Sequence, residues 1–252
     1  MRSICRYSRN LGHSIGRNYR QAALARPWPE RLAERAANAR NPHLADYYRA
    51  GCVAPEAAIA DVPLVALDFE TTGLDPARHG IVSIGLVPFT LRRIRCAGAR
   101  HWIVRPRLPL LQKSITLHGI THSDIDQAPD LLEILDELLA ALAGHLIVVH
   151  YQGIERPFFN GALKERLNEG IEFPVIDTMA LEARLRPKRD WLGRMLGKPP
   201  VSIRLADSRT RYGLPYYAPH HALSDALATA ELLQAQVQHH FSPDTPVSAL
   251  WY

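Results

Sequence analysis

The chain has 252 residues, 47% of them hydrophobic and 22% charged, which excludes wholesale disorder and is enough for a full hydrophobic core. Its net charge of +5 is unevenly spread: ten Arg against Glu30, Glu34 and Asp46 leave the first 50 residues at +7 and the rest at −2. Three widely spaced cysteines, Cys5, Cys52 and Cys96, make neither a disulfide framework nor a zinc knuckle, so a reducing, cytoplasmic setting is expected. No apolar run approaches the roughly 20 residues needed to cross a bilayer.

The Arg- and Ala-rich first 50 residues, broken by Pro27, Pro29 and Pro42, predict one or two short helices. Three readings of this segment stand side by side: a solvated helical arm packed loosely on the main domain, a basic arm that binds nucleic acid or a partner, and an organellar transit peptide. The pattern divides the chain into a basic helical extension over 1–60, a main domain over 61–245 and a tail over 246–252.

From residue 61 the texture becomes strand and helix in alternation. Apolar runs at 62–69, 81–90 and 100–104 predict three strands in an antiparallel meander. Leu131, Leu132, Ile134, Leu135, Leu138, Leu139 and Leu142 recur at helical spacing between Pro129 and Gly144, predicting an amphipathic helix. A buried strand at 146–150, a helix at 154–167, a strand at 174–177 and a further helix follow. After an Arg- and Pro-rich connection over 184–200, Ser202 is placed to cap a helix ending near Gly213. The last helix, over 222–241, puts Leu223, Ala226, Leu227, Ala230, Leu233 and Val237 on one face. The expected architecture is α/β: a mixed sheet, antiparallel meander plus parallel strands, with helices on both faces.

Three segments carry candidate chemistry. In VALDFETTGLDP, residues 65–76, Asp68 and Glu70 share one face of a strand while Phe69 faces the other way. Paired carboxylates repel unless they are solvated or bridged by a divalent cation, which favours oxygen ligands. Thr71, Thr72 and Gly73 then form a small donor-rich turn able to hold a phosphate or sugar, with the apolar Leu74 at its exposed end. In HHALSDALATAEL, residues 220–232, Asp225 falls in the first turn of a helix and His220 in the loop leading into it. An unperturbed imidazole titrates where a general base near neutrality should. In HLIVVHYQGIERPFFN, residues 145–160, Glu155 follows a buried strand at a helix start. His150, at the end of that strand, reads as a hydrogen-bonded core histidine, Asp177 as a support for the fold, and His239 and His240 as surface residues near a helix end.

Together these segments resemble the DEDDh branch of the DnaQ-like 3′-to-5′ exonucleases, the superfamily of the DNA polymerase III proofreading subunit and ribonuclease T. The string DFETTGL matches the family's first motif, and His220 and Asp225 match the third with its five-residue spacing. HGIT at His118–Thr121, IDT at Ile176–Thr178 and RYGLP at Arg211–Pro215 match as well, and the resemblance covers about residues 62–241. It departs in the second motif, where the family's H-N-x-x-F-D reads HYQGIE, with Tyr151 in place of Asn and Glu155 in place of Asp. The resemblance implies a ribonuclease H-like fold and hydrolysis of phosphodiester bonds at the 3′ end of single-stranded nucleic acid, DNA favoured, releasing nucleoside 5′-monophosphates. It implies two Mg²⁺ or Mn²⁺ ions held by Asp68, Glu70, Asp225 and Glu155, with His220 as the base. Thr71, Thr72, Gly73, Leu74 and His118 would hold the terminal nucleotide. Two alternatives stand beside this: an exoribonuclease acting on small or structured RNA, and a catalytically weakened nucleic-acid-binding module associated with a polymerase. A polymerase or repair protein is the candidate partner, and monomer and homodimer are both open.

Overall fold

A computed structural model describes residues 26–107, 119–186 and 201–252. Cys5, His118, most of the Arg- and Pro-rich connection and the first 25 residues lie outside them. The central strand, β1 (Leu64–Thr71), pairs antiparallel with β2 (Ile81–Thr90) and parallel with β5 (Leu146–Val149). On the far side of β2 lie β3 (Arg93–Ile94), closing a tight hairpin, and β4 (Arg100–Ile103). On the far side of β5, β6 (Val175–Asp177) runs parallel to it. This is the expected mixed sheet: the meander supplies the antiparallel half, and crossover helices supply the parallel half.

The sheet is buried on both faces, which is why β1 reads as a nearly continuous apolar run. One face carries Val65, Leu67 and Phe69 against Leu138, Phe158 and Phe159. The other carries Leu64 and Ala66 against Ala226, Ala230 and Leu233. Helices α1 (Trp28–Asn38), α2 (Pro42–Arg49), α4 (Leu135–Leu142) and α5 (Gln152–Leu167) contribute to the first face. Helices α6 (Thr178–Leu185) and α8 (Ala222–His240) contribute to the second. The short helices α3 (His122–Asp126) and α7 (Leu205–Arg211) complete the set among the described residues. None of these helices is long and apolar enough to cross a membrane.

Four local expectations are corrected. Helices α1 and α2 are not a loosely packed arm: Trp28, Leu32, Leu44, Tyr47 and Tyr48 are buried in the same core as Val65 and Leu67, and Arg31 and Arg35 both pair with Glu172. Asn41 fixes the start of α2 by accepting hydrogen bonds from the His43 and Leu44 N–H groups. The amphipathic helix begins at Leu135 rather than Leu131, because Asp130 accepts from the Leu132 N–H at 3.0 Å and is gripped by Arg166 at 2.9 Å, folding 130–134 into a turn. Ser202 does not cap α7, whose first flanking residue is Arg204; its hydroxyl instead donates to the Asp207 carboxylate. Residues 246–252 are integrated, with Val247 and Leu250 buried and the Tyr252 N–H donating to the Val175 carbonyl at 2.8 Å along the outer edge of β6.

Candidate active site

The site forms where the second sheet face changes from apolar to acidic. Along β1, Leu64 and Ala66 lie under α8, and the next two residues on that side are Asp68 and Glu70. Their partners across β2 are Gly85 and Ser83. Gly85 makes the site possible: a Cβ there would overlap the Ala222 carbonyl carbon and oxygen, so only glycine lets the first turn of α8 rest on the strand. That contact brings Asp225 down onto the strand acids. Asp68, Glu70 and Asp225 each offer one carboxylate oxygen, all within 4.8 Å of one another.

Such a cluster is electrostatically unfavourable on its own. Burial pushes the Asp68 carboxyl well above the usual carboxylate range, and the negative charges of Glu155, Glu70 and Asp225 push it further. Burial also raises Asp225, whose carboxylate is held partly in check by the His220 backbone N–H at 2.8 Å. His220 is exposed at φ +71°, a left-handed conformation that is uncommon outside glycine and costs energy to maintain. Next to it, His221 caps α8 and its ring lies 4.8 Å from that of His101, which bonds to Ser83 at 2.8 Å.

Glu155 reaches the site from another element. Helix α5 starts right after β5, and its entry is locked by Asp177, which accepts from the backbone N–H groups of Tyr151 (3.2 Å) and Gln152 (3.0 Å) while also capping α6 through Met179 and Ala180. Asp177 is thus a structural brace, as expected. Tyr151 sits at φ +99°, a conformation that an Asn tolerates better, and its ring folds back over Gly153, where a Cβ would come within 2.6 Å of Cζ. Glu155 is 2% exposed, and its Oε2 has no hydrogen-bond partner among the described residues. Burial raises its pKa, with Asp177 and Glu70 adding to the shift. It stands outside the trio of mutually close carboxylates but acts on Asp68 electrostatically. His150, at the rim, pairs through Nδ1 with the Thr178 hydroxyl at 2.8 Å, the hydrogen-bonded position expected of it.

The turn after β1 is closed on itself. The Thr71 hydroxyl donates to the Gly73 carbonyl at 2.7 Å, and Thr72 exchanges hydrogen bonds with Gly80. The His79 ring occupies the space where a Gly73 Cβ would be. Leu74 projects from this turn, 61% exposed. Two cavities flank the carboxylates and share His220: one of about 210 Å³ beside Glu70, reaching Gly119 and Ile120, and one of about 500 Å³ beside Asp68 and Asp225, reaching α7. His118 lies outside the described residues. Sequence reasoning missed Gly85, although a lone glycine inside an apolar strand is a signal of close backbone approach. It also missed Gly153, whose role shows only once the Tyr151 ring is placed.

The donor set suits a divalent cation. It is all oxygen, its members hold one another's charge at a cost, and the buried Glu155 oxygen beside it is unpartnered among the described residues. A mixed, helix-covered sheet with three acids converging at the end of its central strand defines the class: a ribonuclease H-like α/β protein with an acidic centre able to hold a cation. The RNase_T family model, described as an exonuclease, matches residues 65–233, and the chain belongs to that exonuclease family within the DnaQ-like DEDDh superfamily. A PolC-type DNA polymerase III from Thermotoga maritima is 30% identical over 177 residues, 70% of this chain but 12% of the polymerase. The DNA polymerase III subunit epsilon of Treponema pallidum is 26% identical over 179 residues, 71% of this chain and 78% of the subunit. The nuclease domain of 3′hExo, a DEDDh family member solved bound to rAMP, has the same fold with a TM-score of 0.57 at 18% identity, over 71% of this chain and 92% of that one. Exonuclease X, solved with 5′ overhanging duplex DNA, gives 0.53 at 21% identity over 73% and 96%.

Proposed function

We propose that this protein removes nucleotides from the 3′ end of single-stranded nucleic acid, DNA in preference to RNA, and releases nucleoside 5′-monophosphates. The observation that carries this reading is the convergence of Asp68, Glu70 and Asp225 within 4.8 Å, with His220 on the loop beside them. Two Mg²⁺ or Mn²⁺ ions held by these acids and Glu155 would neutralise the phosphate, activate water and stabilise the departing oxyanion. Asp68 would serve both ions, Glu70 and Asp225 the first, and Glu155 the second.

His220, tethered through its backbone N–H to Asp225, would take the proton of the attacking water. The backbone around Thr71, Thr72 and Gly73 would hold the terminal nucleotide. Leu74 would present an apolar edge to the base, and His118 is proposed to contribute to the same subsite. The DNA preference follows the polymerase relatives, and association with a polymerase or repair protein is the matching partner proposal.

The test is release of mononucleotides from matched 3′-labelled DNA and RNA strands with Mg²⁺ or Mn²⁺. Release from DNA that vanishes in Asp68→Asn supports the reading. Faster release from RNA reverses the substrate preference, and binding without metal-dependent release replaces the enzyme by a binding module. Co-purification of a tagged chain with a replicative polymerase tests the partner.

A further inference from the structure

Beyond Asp68 and Asp225 lies the larger cavity, of about 500 Å³, within the usual range for ligand pockets. Because Asp68, Asp225 and His220 form one of its walls, whatever fills it is continuous with the reacting centre. Leu214, Pro215, Tyr216 and Pro219 give it an apolar lining, and Arg204 and Asp207 line it as well. Tyr216 is 78% exposed, the most exposed of the large apolar side chains among the described residues.

That exposure does not come from a loose loop. Beneath it Arg209, 3% exposed, donates to the Ala228 carbonyl (2.7 Å), the Pro215 carbonyl (2.9 Å) and the Glu231 carboxylate (2.6 Å). Its guanidinium also lies 4.6 Å from the centre of the Tyr217 ring, and the Tyr217 hydroxyl donates to Glu231 at 2.9 Å. Tyr217 is therefore pinned inward, and its neighbour Tyr216 is turned outward between two prolines that limit the backbone. A ring carried on a backbone fixed in this way costs less to order when something stacks on it. Of the three arginines on or flanking α7, Arg209 and Arg211 in its last turn are paired with Glu231 and Glu182, while Arg204, just before its first turn, makes no ion pair among the described residues.

We infer that this cavity is a stacking subsite for the unpaired base on the 5′ side of the scissile bond, with Tyr216 as the platform and Arg204 facing the strand's phosphate. The inference rests on the nuclease reading above, in which the terminal nucleotide occupies the Leu74 flank. A ring within this apolar lining selects for an unstacked base, because bases within a duplex already cover each other's faces. It is tolerant of sequence, because every base has a π-face. The unneutralised Arg204 supplies charge complementarity to a polyanion.

The test compares single-stranded oligonucleotides with the same strands carrying an abasic nucleotide second from the 3′ end, which keeps the backbone and removes the base. Tyr216→Ala is expected to raise KM for the intact strand by roughly tenfold more than for the abasic one, and Tyr216→Trp to restore it. Arg204→Gln should flatten the dependence of log affinity on log salt by about 0.7. Equal effects of Tyr216→Ala on both substrates, or none on either, overturn the subsite while leaving the nuclease reading intact. If the wild type cleaves neither substrate, the nuclease reading fails and a binding arm decides the subsite. In that arm, a 2-aminopurine placed second from the 3′ end should be quenched by the wild type and not by Tyr216→Ala; no quenching by the wild type overturns it. Unchanged thermal midpoints of the variants exclude misfolding.

Discussion

Replacing Asp68 by Asn should kill the activity and yet stabilise the metal-free protein. The oxygens of Asp68, Glu70 and Asp225 lie within 4.8 Å of one another, and two unit charges at that distance repel by about 3.5 kcal/mol at an effective dielectric of about 20. Asp68 faces two such neighbours, with Glu155 adding to the repulsion. Solvent reaches the partly exposed Asp68 and Asp225, so about a third of the paired sum, roughly 2 kcal/mol, should survive screening. Asn keeps the shape and removes one charge. In EDTA at pH 8 its thermal midpoint should exceed the wild-type value by about 4–8 °C. Saturating Mn²⁺ should reverse the order, because a cation at about 100 times its Kd adds roughly 2.7 kcal/mol to the wild type, and the variant should not respond. Differential scanning fluorimetry with a manganese titration reads both effects. A metal-free Asp68→Asn less stable than the wild type, or a wild type indifferent to Mn²⁺, would refute the claim that these acids are held together at electrostatic cost for a cation.

Two further outcomes follow from single contacts. Gly85→Ala forces a methyl group into the Ala222 carbonyl, and since both sides are backbone the helix must move; a loss of about 1–3 kcal/mol is expected in urea melts. Manganese affinity should fall by more than the lost stability explains, because Asp225 rides on that helix. His150 makes a pH prediction: Thr178 donates its hydroxyl proton to the Val149 carbonyl and so accepts from Nδ1–H, while Nε2 is buried and the nearby Ile203 backbone only partly offsets the cost of a second proton there. Burial accordingly holds His150 down at about 4. A histidine depressed below its ordinary value of 6.5 contributes stability that is present above pH 6.5 and lost as pH falls toward 4, here about 3 kcal/mol. Urea midpoints of His150→Gln across that window should be flatter than those of the wild type, and parallel curves would sink the assignment.

What could be read in the sequence divides along a physical line. Local periodicity placed β1, β5, α8 and the shared face of Asp68 and Glu70, because a strand's two-residue repeat and a helix's 3.6-residue repeat are written in consecutive residues. The ends of elements were misplaced where a side chain competed for backbone groups: Asp130 delays α4, and the position of Ser202 just before a helix did not make it the cap. The two N-terminal helices looked peripheral by composition, since charge counts cannot register that Trp28 and Tyr48 are swallowed by the core. Long-range approach was the least legible. Gly85 lies 137 positions before Ala222, and nothing local says which backbone needs the missing Cβ. The altered second motif shows the same limit from the other side. Glu155 looked like a simple lengthening of the usual Asp, but the structure couples it to the other replacement and to a nearby glycine: Tyr151 takes a left-handed turn, and Gly153 clears the space for its ring. Glu155 then begins from a helix start fixed by Asp177, so the extra methylene belongs to a rebuilt entry to α5 rather than to a single exchanged side chain.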